Sequence, residues 1–154
     1  MIGTAPSGCT VRPMDAADLP ALLDLWVDSW QAAYPSIDFS TRRGWAEGRF
    51  AELQGNGASI LVAEINQKLA GLVTVEPMTG YIDQIVVATA SQRRGVASDL
   101  LAVARGASPS ILELHVNQDN AAAVAFYRRQ GFVISAHEVN PRSGAPTYRM
   151  TWRL

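Results

Sequence analysis

Two stretches of the sequence combine residue types and spacing suited to chemistry. The first is Gln92-Arg93-Arg94-Gly95-Val96-Ala97, between a run of branched residues, Tyr81–Val87, and an apolar-periodic run that begins near Ser98. Backbone N–H groups at a helix N-terminus are unpaired and carry partial positive charge. A turn leading into the helix adds more of them, so this segment suits a phosphate or pyrophosphate. Gly95 and Ala97 keep side chains clear of a ligand approaching the backbone, and Arg93 and Arg94 add positive charge. The second stretch is Asn120 to Phe132, in which Asn120, Val124 and Tyr127 stand at i, i+4 and i+7 and share one helix face. That face aligns an amide and a phenol among small alanines. Taken singly, each stretch has a plain structural alternative: a Gly-bearing turn, and a helix cap followed by a core aromatic.

The loop does not match other phosphate-binding signatures. No Gly-Lys-Ser/Thr ending is present, and the loop follows four strands instead of the first, where a dinucleotide fingerprint belongs.

The elements that must position these residues follow from periodicity. Thr10–Pro13 reads as a short strand. Asp18 is expected to cap a helix with Pro20 in its first turn, and Leu19, Leu22, Leu23, Trp26, Val27 and Trp30 form its apolar face up to Tyr34-Pro35. A weaker stripe predicts a second helix over 41–54, with Ser40 as its cap and Gly55-Asn56-Gly57 as its breaker. Ser59–Ile65 and Leu69–Glu76 read as a hairpin around Asn66-Gln67, and Tyr81–Val87 as the fourth strand. A helix over Ser98–Arg105, stopped by Gly106, leads to a strand over 111–116. Asn120 caps a helix to Gln130, with Gly131 where a left-handed residue is wanted. Phe132–Val139 and Thr147–Leu154 close the order β-α-α-β-β-β-α-β-α-β-β, a single α/β domain over residues 1–154.

Composition narrows the function classes. The chain carries 13 basic and 14 acidic residues for a net charge of −1, with no basic run to track a nucleic acid backbone. No apolar run approaches the roughly 20 residues of a membrane span. The first ten residues lack the charged start and apolar core of a leader, so the expected compartment is the cytoplasm. Cys9 is the only cysteine; it reads as a free thiol near the N-terminus, and no Cys-rich metal site can be built.

Together the two stretches resemble the GNAT superfamily of N-acetyltransferases. Gln92, Gly95 and Ala97 match its Gln/Arg-x-x-Gly-x-Gly/Ala pattern, and Asn120, Phe126-Tyr127 and Gly131-Phe132 match its later helix. Thr89 stands where a proline is common, and Ala97 replaces the commoner last glycine. The resemblance implies an α/β (α+β) fold with a mixed, mostly antiparallel twisted sheet of about seven strands and about four helices. Its fourth strand carries a bulge and splays from the fifth. It implies acetyl-CoA in that gap, with backbone groups of Ile85, Val86 and Val87 on the pantetheine and the thioester carbonyl, where an N–H also stabilises a developing oxyanion. Gln92, Arg93, Arg94, Gly95, Val96, Ala97 and Ser98 would hold the pyrophosphate, and Asn120 the pantetheine arm.

The implied reaction is direct attack of a primary amine on the thioester, without a metal and with catalysis mainly by positioning. Tyr127 resembles the general acid that protonates the leaving thiolate. For the base, Asp83 and His115 are both candidates, with a water chain as the third route; His115 matches the position of the glutamate base in ribosomal-protein N-terminal acetyltransferases, and a histidine titrates near neutrality. The acceptor site is expected from Trp30, Tyr34, Pro35, Asp38 and Phe39, with Tyr148 as a wall, and its aromatic content hints at a partly apolar small amine or amino acid. A protein N-terminus or lysine is the alternative acceptor. A non-catalytic acyl-CoA-binding module is the alternative class, and Tyr127 and Asn120 argue against it. The family often pairs, so a homodimer is an expectation; nucleic acid and membrane partners are not expected.

Overall fold

The computed structural model of the protein describes residues 8–108 and 110–154. Eight strands and four helices follow in the order β1 (Thr10–Pro13), α1 (Leu19–Ala33), α2 (Arg43–Gly55), β2 (Ser59–Ile65), β3 (Lys68–Val75), β4 (Tyr81–Ile82), β5 (Ile85–Val87), α3 (Val96–Ala107), β6 (Ile111–Asn117), α4 (Ala121–Arg129), β7 (Val133–Val139) and β8 (Pro146–Arg153). Strands β1-β2-β3-β5 form one antiparallel sheet and β4-β6-β8-β7 a second, in which only the β4-β6 pair is parallel. Among the described residues no helix is long and apolar enough to cross a membrane. The leader reading rests largely on residues 1–7, which lie outside the described residues.

Period-two alternation puts both faces of the first sheet to use. Val62, Leu72 and Val86 lie side by side on one face, under Leu22, Leu23 and Trp26 of α1 and Phe50 of α2. Val73 faces the other way and joins Leu100, Leu101 and Ala104 of α3. That second core continues under the second sheet through Leu112, Leu114, Met150, Tyr127 and Phe132. Cys9 belongs to it as well: it is fully buried, so its proximity to the terminus does not make it an accessible thiol.

Several local expectations change. Asp18 occupies the N-cap of α1 without capping it. Its carboxylate instead accepts from Arg12 and from the Asp15 N–H, and Asp15 caps a 3-10 turn over Ala16–Asp18 that leads into α1. Likewise α2 is preceded by a 3-10 turn, Phe39–Arg42, capped by Asp38 and not Ser40. Gly106 lies inside α3, which continues to Ala107; Ser108 ends it. Gly131 does adopt the left-handed conformation expected of it, at φ 94°.

The largest change is in the fourth strand. Tyr81–Val87 is not continuous: it breaks at Asp83-Gln84, which is why eight strands stand where about seven were expected. Gly80 fixes where this segment begins. Its φ is +75°, and a Cβ would lie 2.0 Å from the Ile111 carbonyl oxygen. Gly80→Ala is therefore expected to lower the melting temperature sharply. Gly48→Ala, in the exposed middle of α2 with nothing within 4 Å of a Cβ, should stabilise by about 0.5–1 kcal/mol. Thermal or urea unfolding of the pair checks this, and equal effects of the same sign would contradict it.

Candidate active site

The break in the fourth strand creates a gap between the sheets. β4 pairs with β6 only as Tyr81↔Glu113 and Ile82↔Leu114, whereas β5 pairs with β3 as Ile85↔Val73, Val86↔Leu72 and Val87↔Gly71. Past Leu114 the two strands part. Thr74 donates to the Gln84 carbonyl and Ala88 donates to the Ala70 carbonyl, so the even-numbered residues face β3. By antiparallel alternation, the N–H and C=O groups of Ile85 and Val87 point into the gap. The Val87 carbonyl there accepts from Ser29 Oγ of α1 at 3.0 Å. Val86 is not available in the same way, since its backbone pairs with Leu72 and its side chain is buried under α1.

Three residues hold the break in place. Arg49 of α2 grips both Asp83 carboxylate oxygens, at 3.1 Å from Nε and 2.6 Å from Nη2. Gln84 donates to Asp83 at 3.0 Å and accepts from Trp26 Nε1 at 3.0 Å, while its N–H donates to Thr74 Oγ1. Burial alone would raise the Asp83 carboxyl, but the bonds from Arg49 and Gln84 outweigh it and hold the group below the usual carboxylate range.

Beyond β5 the chain makes a 3-10 turn at Thr89–Ser91 and then reverses twice, with Arg93 at φ 64° and Gly95 at φ 83°. Gly95 is the N-cap of α3, and Asp99 donates to the Gly95 carbonyl. The preceding N–H groups of Val96, Ala97 and Ser98 have no intrahelical partner. Side chains divide by role: Val96 is buried in the core, Ser98 Oγ accepts from Gln130 and ties α3 to α4, and Gln92, Arg93 and Arg94 are exposed. A left-handed residue on either side of Arg94 turns successive N–H groups toward one side, a concavity suited to an anion.

On α4, Asn120 Oδ1 caps the helix by accepting from the Ala123 N–H at 3.2 Å. Its Nδ2 has no hydrogen bond among the described residues. Tyr127 is 8% exposed and packs edge-on against Phe126 and Phe132. No described residue hydrogen-bonds its hydroxyl, and burial pushes the phenol well above its ordinary value. Ile85, Val87, Ala123 and Val124 all pack against the cluster that contains it.

The second sheet has one polar face, with His115 exposed on it and Thr147 and Thr151 buried. Leu112, Leu114 and Val116 point to the core, so Glu113, His115 and Asn117 point the other way, opposite Thr151, Arg149 and Thr147 of β8. The helices α1 and α2 pack mainly on the first sheet. His115 is bonded at both nitrogens, to Tyr81 Oη at 2.6 Å and to Glu138 Oε1 at 2.5 Å, and Glu138 Oε2 meets Arg149 at 2.6 Å. Tyr34 accepts from Asn117 at 2.9 Å and donates to Asp119 at 3.0 Å, which ties the end of α1 to the end of β6. The Arg142 guanidinium stacks 4.0 Å over Trp45, so the β7-β8 loop borders the face from the α2 side.

Residues 19–132 match the family described as Acetyltransferase (GNAT) family. The chain belongs to that family. It is also 31% identical over 144 residues to the peptidyl-lysine N-acetyltransferase YiaC of Escherichia coli, spanning 92% of this chain and 95% of that one. Among solved structures, the GCN5-related N-acetyltransferase of Rhodopseudomonas palustris superposes with a TM-score of 0.79 at 19% identity, over 99% of both chains. The PaiA N-acetyltransferase of Thermoplasma acidophilum, solved in complex with coenzyme A, superposes at 0.75 with 16% identity, over 95% of this chain and 99% of that one.

Within this GNAT fold the expected site residues fall into two groups. Ile85 and Val87 border the gap and pack, with Ala123 and Val124 of α4, on the cluster that holds Tyr127; the 92–98 loop follows β5 into α3, Asn120 heads α4, and His115 lies on the polar face where β4 and β6 part. The acceptor candidates are less unified. Trp30 is sandwiched between Tyr34 and Phe39, with ring centroids 5.8 Å from each, so its faces are occupied by packing. Asp38 accepts from the Ser40 N–H and hydroxyl as a turn cap. Tyr148 lies on the opposite face of the second sheet, against His137 and alongside Val124 of α4.

Tyr81, Glu138, Arg149 and Arg49 were not visible as site residues in the sequence. Polar residues at alternate positions of β6 signal the polar face, but the partners arrive from strands 23 to 34 residues away, and only the register shows which ones.

The clamp on Asp83 makes a pH-dependent prediction. A carboxylate held below its unfolded value stabilises the fold above that value and loses the contribution as pH falls through the folded one. Arg49→Met should cost on the order of 2 kcal/mol at pH 7, discounted for partial exposure. The penalty should shrink only as pH falls below roughly 4, toward the lowered value Asp83 has in the folded chain. Urea unfolding at pH 7 and below roughly pH 4 checks this; an equal penalty at both would contradict the clamp.

Proposed function

We propose that the protein transfers the acetyl group of acetyl-CoA to the ε-amine of a lysine presented on a protein or peptide. The observation that carries the reading is the polar face of β6, β7 and β8, on which the His115 and Glu138 side chains are 35% and 33% exposed where β4 and β6 part. The aromatic residues that would have walled a small apolar amine pack on one another instead, at Trp30, Tyr34 and Phe39. The likeness to YiaC, a peptidyl-lysine N-acetyltransferase by its name, supports the same acceptor.

Acetyl-CoA supplies a thioester whose acyl carbon accepts an amine without prior activation by a metal. The gap fits it: the Ile85 backbone groups and the Val87 N–H, which face away from β3, suit the amides of an extended pantetheine, and the turns at Arg93 and Gly95 suit its pyrophosphate. In this reading Asn120 Nδ2 donates to the same arm, its Oδ1 being engaged by the Ala123 N–H. The Ile85 N–H is the donor for the acyl carbonyl. Tyr127, kept protonated by burial, is the donor to the departing sulfur.

An alkyl ammonium with a pKa of about 10.4 must lose a proton before it attacks. Asp83 is a poor recipient, because Arg49 and Gln84 occupy its oxygens and favour its charged form. The imidazole of His115 is the group on the polar face that can take a proton, and we assign it as the base. Two copies of the chain pairing as a homodimer remains part of the proposal by family habit alone.

Three outcomes test the assignment. With acetyl-CoA, lysine-containing peptides should be acetylated with a kcat/KM at least roughly tenfold above free amines and amino acids; equal or greater transfer to free amines would contradict a peptide acceptor. Tyr127→Phe should lower kcat by about 10²-fold with acetyl-CoA affinity unchanged, and Gly95→Val should abolish that affinity. Normal cofactor binding in the Gly95 variant would remove the loop from the site.

A further inference from the structure

His115 is the assigned base, yet neither of its nitrogens is open. Nδ1 is 2.6 Å from Tyr81 Oη, and Nε2 is 2.5 Å from Glu138 Oε1. The protonation pattern follows from the partners. His115 and Arg149 hold the Glu138 carboxyl below its usual range, so it accepts at both oxygens. Nε2 of the neutral imidazole therefore carries the hydrogen, Nδ1 is the acceptor, and Tyr81 donates to it. The Tyr81 oxygen keeps its lone pairs for another donor.

We propose that the acceptor ammonium loses its proton through Tyr81, which takes it at Oη while its own hydroxyl proton passes to His115 Nδ1, with Glu138 and Arg149 fixing the ring for the transfer. This rests on the amine-acetylation reading above. The charge balance is simple. The ammonium becomes a neutral amine with a free lone pair, Tyr81 is unchanged in net protonation, and the positive charge moves to the imidazole beside the Glu138 carboxylate. The His115 side chain is 35% exposed, so water takes the proton away afterwards.

Position supports the route. Tyr81 and Ile82 are the last residues of the fourth strand to pair with β6, and His115 is the first residue of β6 beyond that pairing. The Tyr81–His115 couple thus stands where the strands part, at the mouth of the gap. Burial, together with Asp83 and Glu113, pushes the Tyr81 phenol up to about 12, so a standing phenolate does not form at neutral pH. Proton uptake and release at Oη must be coupled, which is what the short contact to Nδ1 permits. The arrangement follows the hydroxyl–imidazole–carboxylate logic of a catalytic triad, with the hydroxyl serving as a proton carrier and not as a nucleophile.

The charged and titratable groups around the couple are Asp83 of the break, Glu113 of β6, Glu138 of β7, Arg149 of β8 and, behind Asp83, Arg49 of α2. Tyr81→Phe, His115→Gln and Glu138→Gln, which leave the Asp83–Arg49 clamp intact, should leave acetyl-CoA affinity unchanged, which separates loss of the relay from loss of the fold.

The test uses the full chain, acetyl-CoA and an acetyl-capped lysine peptide. Tyr81→Phe should lower kcat/KM by about 10²-fold, His115→Gln should do the same, and the double variant should lose no more than either. If His115 accepted the proton directly, Tyr81→Phe would free Nδ1 and activity would hold or rise; that result would overturn the relay. Glu138→Gln should lower kcat roughly tenfold with KM unchanged and alter the acid limb of the pH profile. An unchanged kcat and profile would remove Glu138 from the positioning role. A second readout needs no turnover. ¹⁵N NMR of the neutral His115 ring should show hydrogen on Nε2 in the wild-type chain, with an Nδ1 shift on Tyr81→Phe. Hydrogen on Nδ1, or no shift, would overturn the relay even if no peptide proved to be a substrate. Failure of every amine with that NMR signature intact would instead count against the acetylation reading alone.

Discussion

The hydrogen-bonded clamp at Asp83-Gln84 is the constraint on which the site depends. A fourth strand continuous from Tyr81 to Val87 would pair along its length with β6 and leave no opening. Arg49, Trp26 and Thr74 each hold one side of the break, through the Asp83 carboxylate, the Gln84 side chain and the Gln84 backbone. The first half of the strand then follows the second sheet, and the second half follows the first. Both sheets stay fully supported by their cores while a short run of backbone is left unpaired between them. An unpaired buried backbone group is costly, so the gap persists because its groups are accessible to water or to a ligand.

Helix α1 braces this opening across both sides. Ser29 bonds to Val87 on the first sheet, and Tyr34 bonds to Asn117 and Asp119 at the end of β6. The separation of the sheets is thus set by a helix whose own apolar face is anchored by Leu22, Leu23 and Trp26. Catalysis by positioning requires a rigid frame, and misplacement by about 1 Å can cost on the order of 10² in rate. The clamp and the brace supply that frame from outside the reacting groups.

Much of this was legible in the sequence. Gln92–Ala97 and Asn120–Phe132 identified the family because their backbone roles tolerate few alternatives: a left-handed Gly95, a capping Asn120 and a left-handed Gly131. The element order was legible because apolar periodicity is strong in α1, α3 and the central strands. Three things were not. The break in the fourth strand is invisible to period-two reading, because Asp83 and Gln84 are plausible strand residues until Arg49 and Trp26 reach them. Asp18 and Ser40 looked like caps, but each competes with a carboxylate three or two residues earlier, Asp15 and Asp38, that reaches the free N–H groups first. The acceptor side rested on residue type alone, and Trp30 and Asp38 turned out to be engaged by Tyr34, Phe39 and Ser40. Tyr148 fell on the far face because strand parity, which sequence fixes only relative to a known register, sends it toward α4.

The central claim is that the Ile85 and Val87 N–H groups of β5 are unpaired in the free protein and complete their hydrogen bonding with acetyl-CoA. Residue-resolved amide hydrogen exchange tests it most directly. The Ile85 and Val87 amides should exchange fast in the free protein while Val86 between them is protected, and acetyl-CoA should slow both. Protection of Ile85 and Val87 without ligand, or no change when acetyl-CoA binds, would contradict the account.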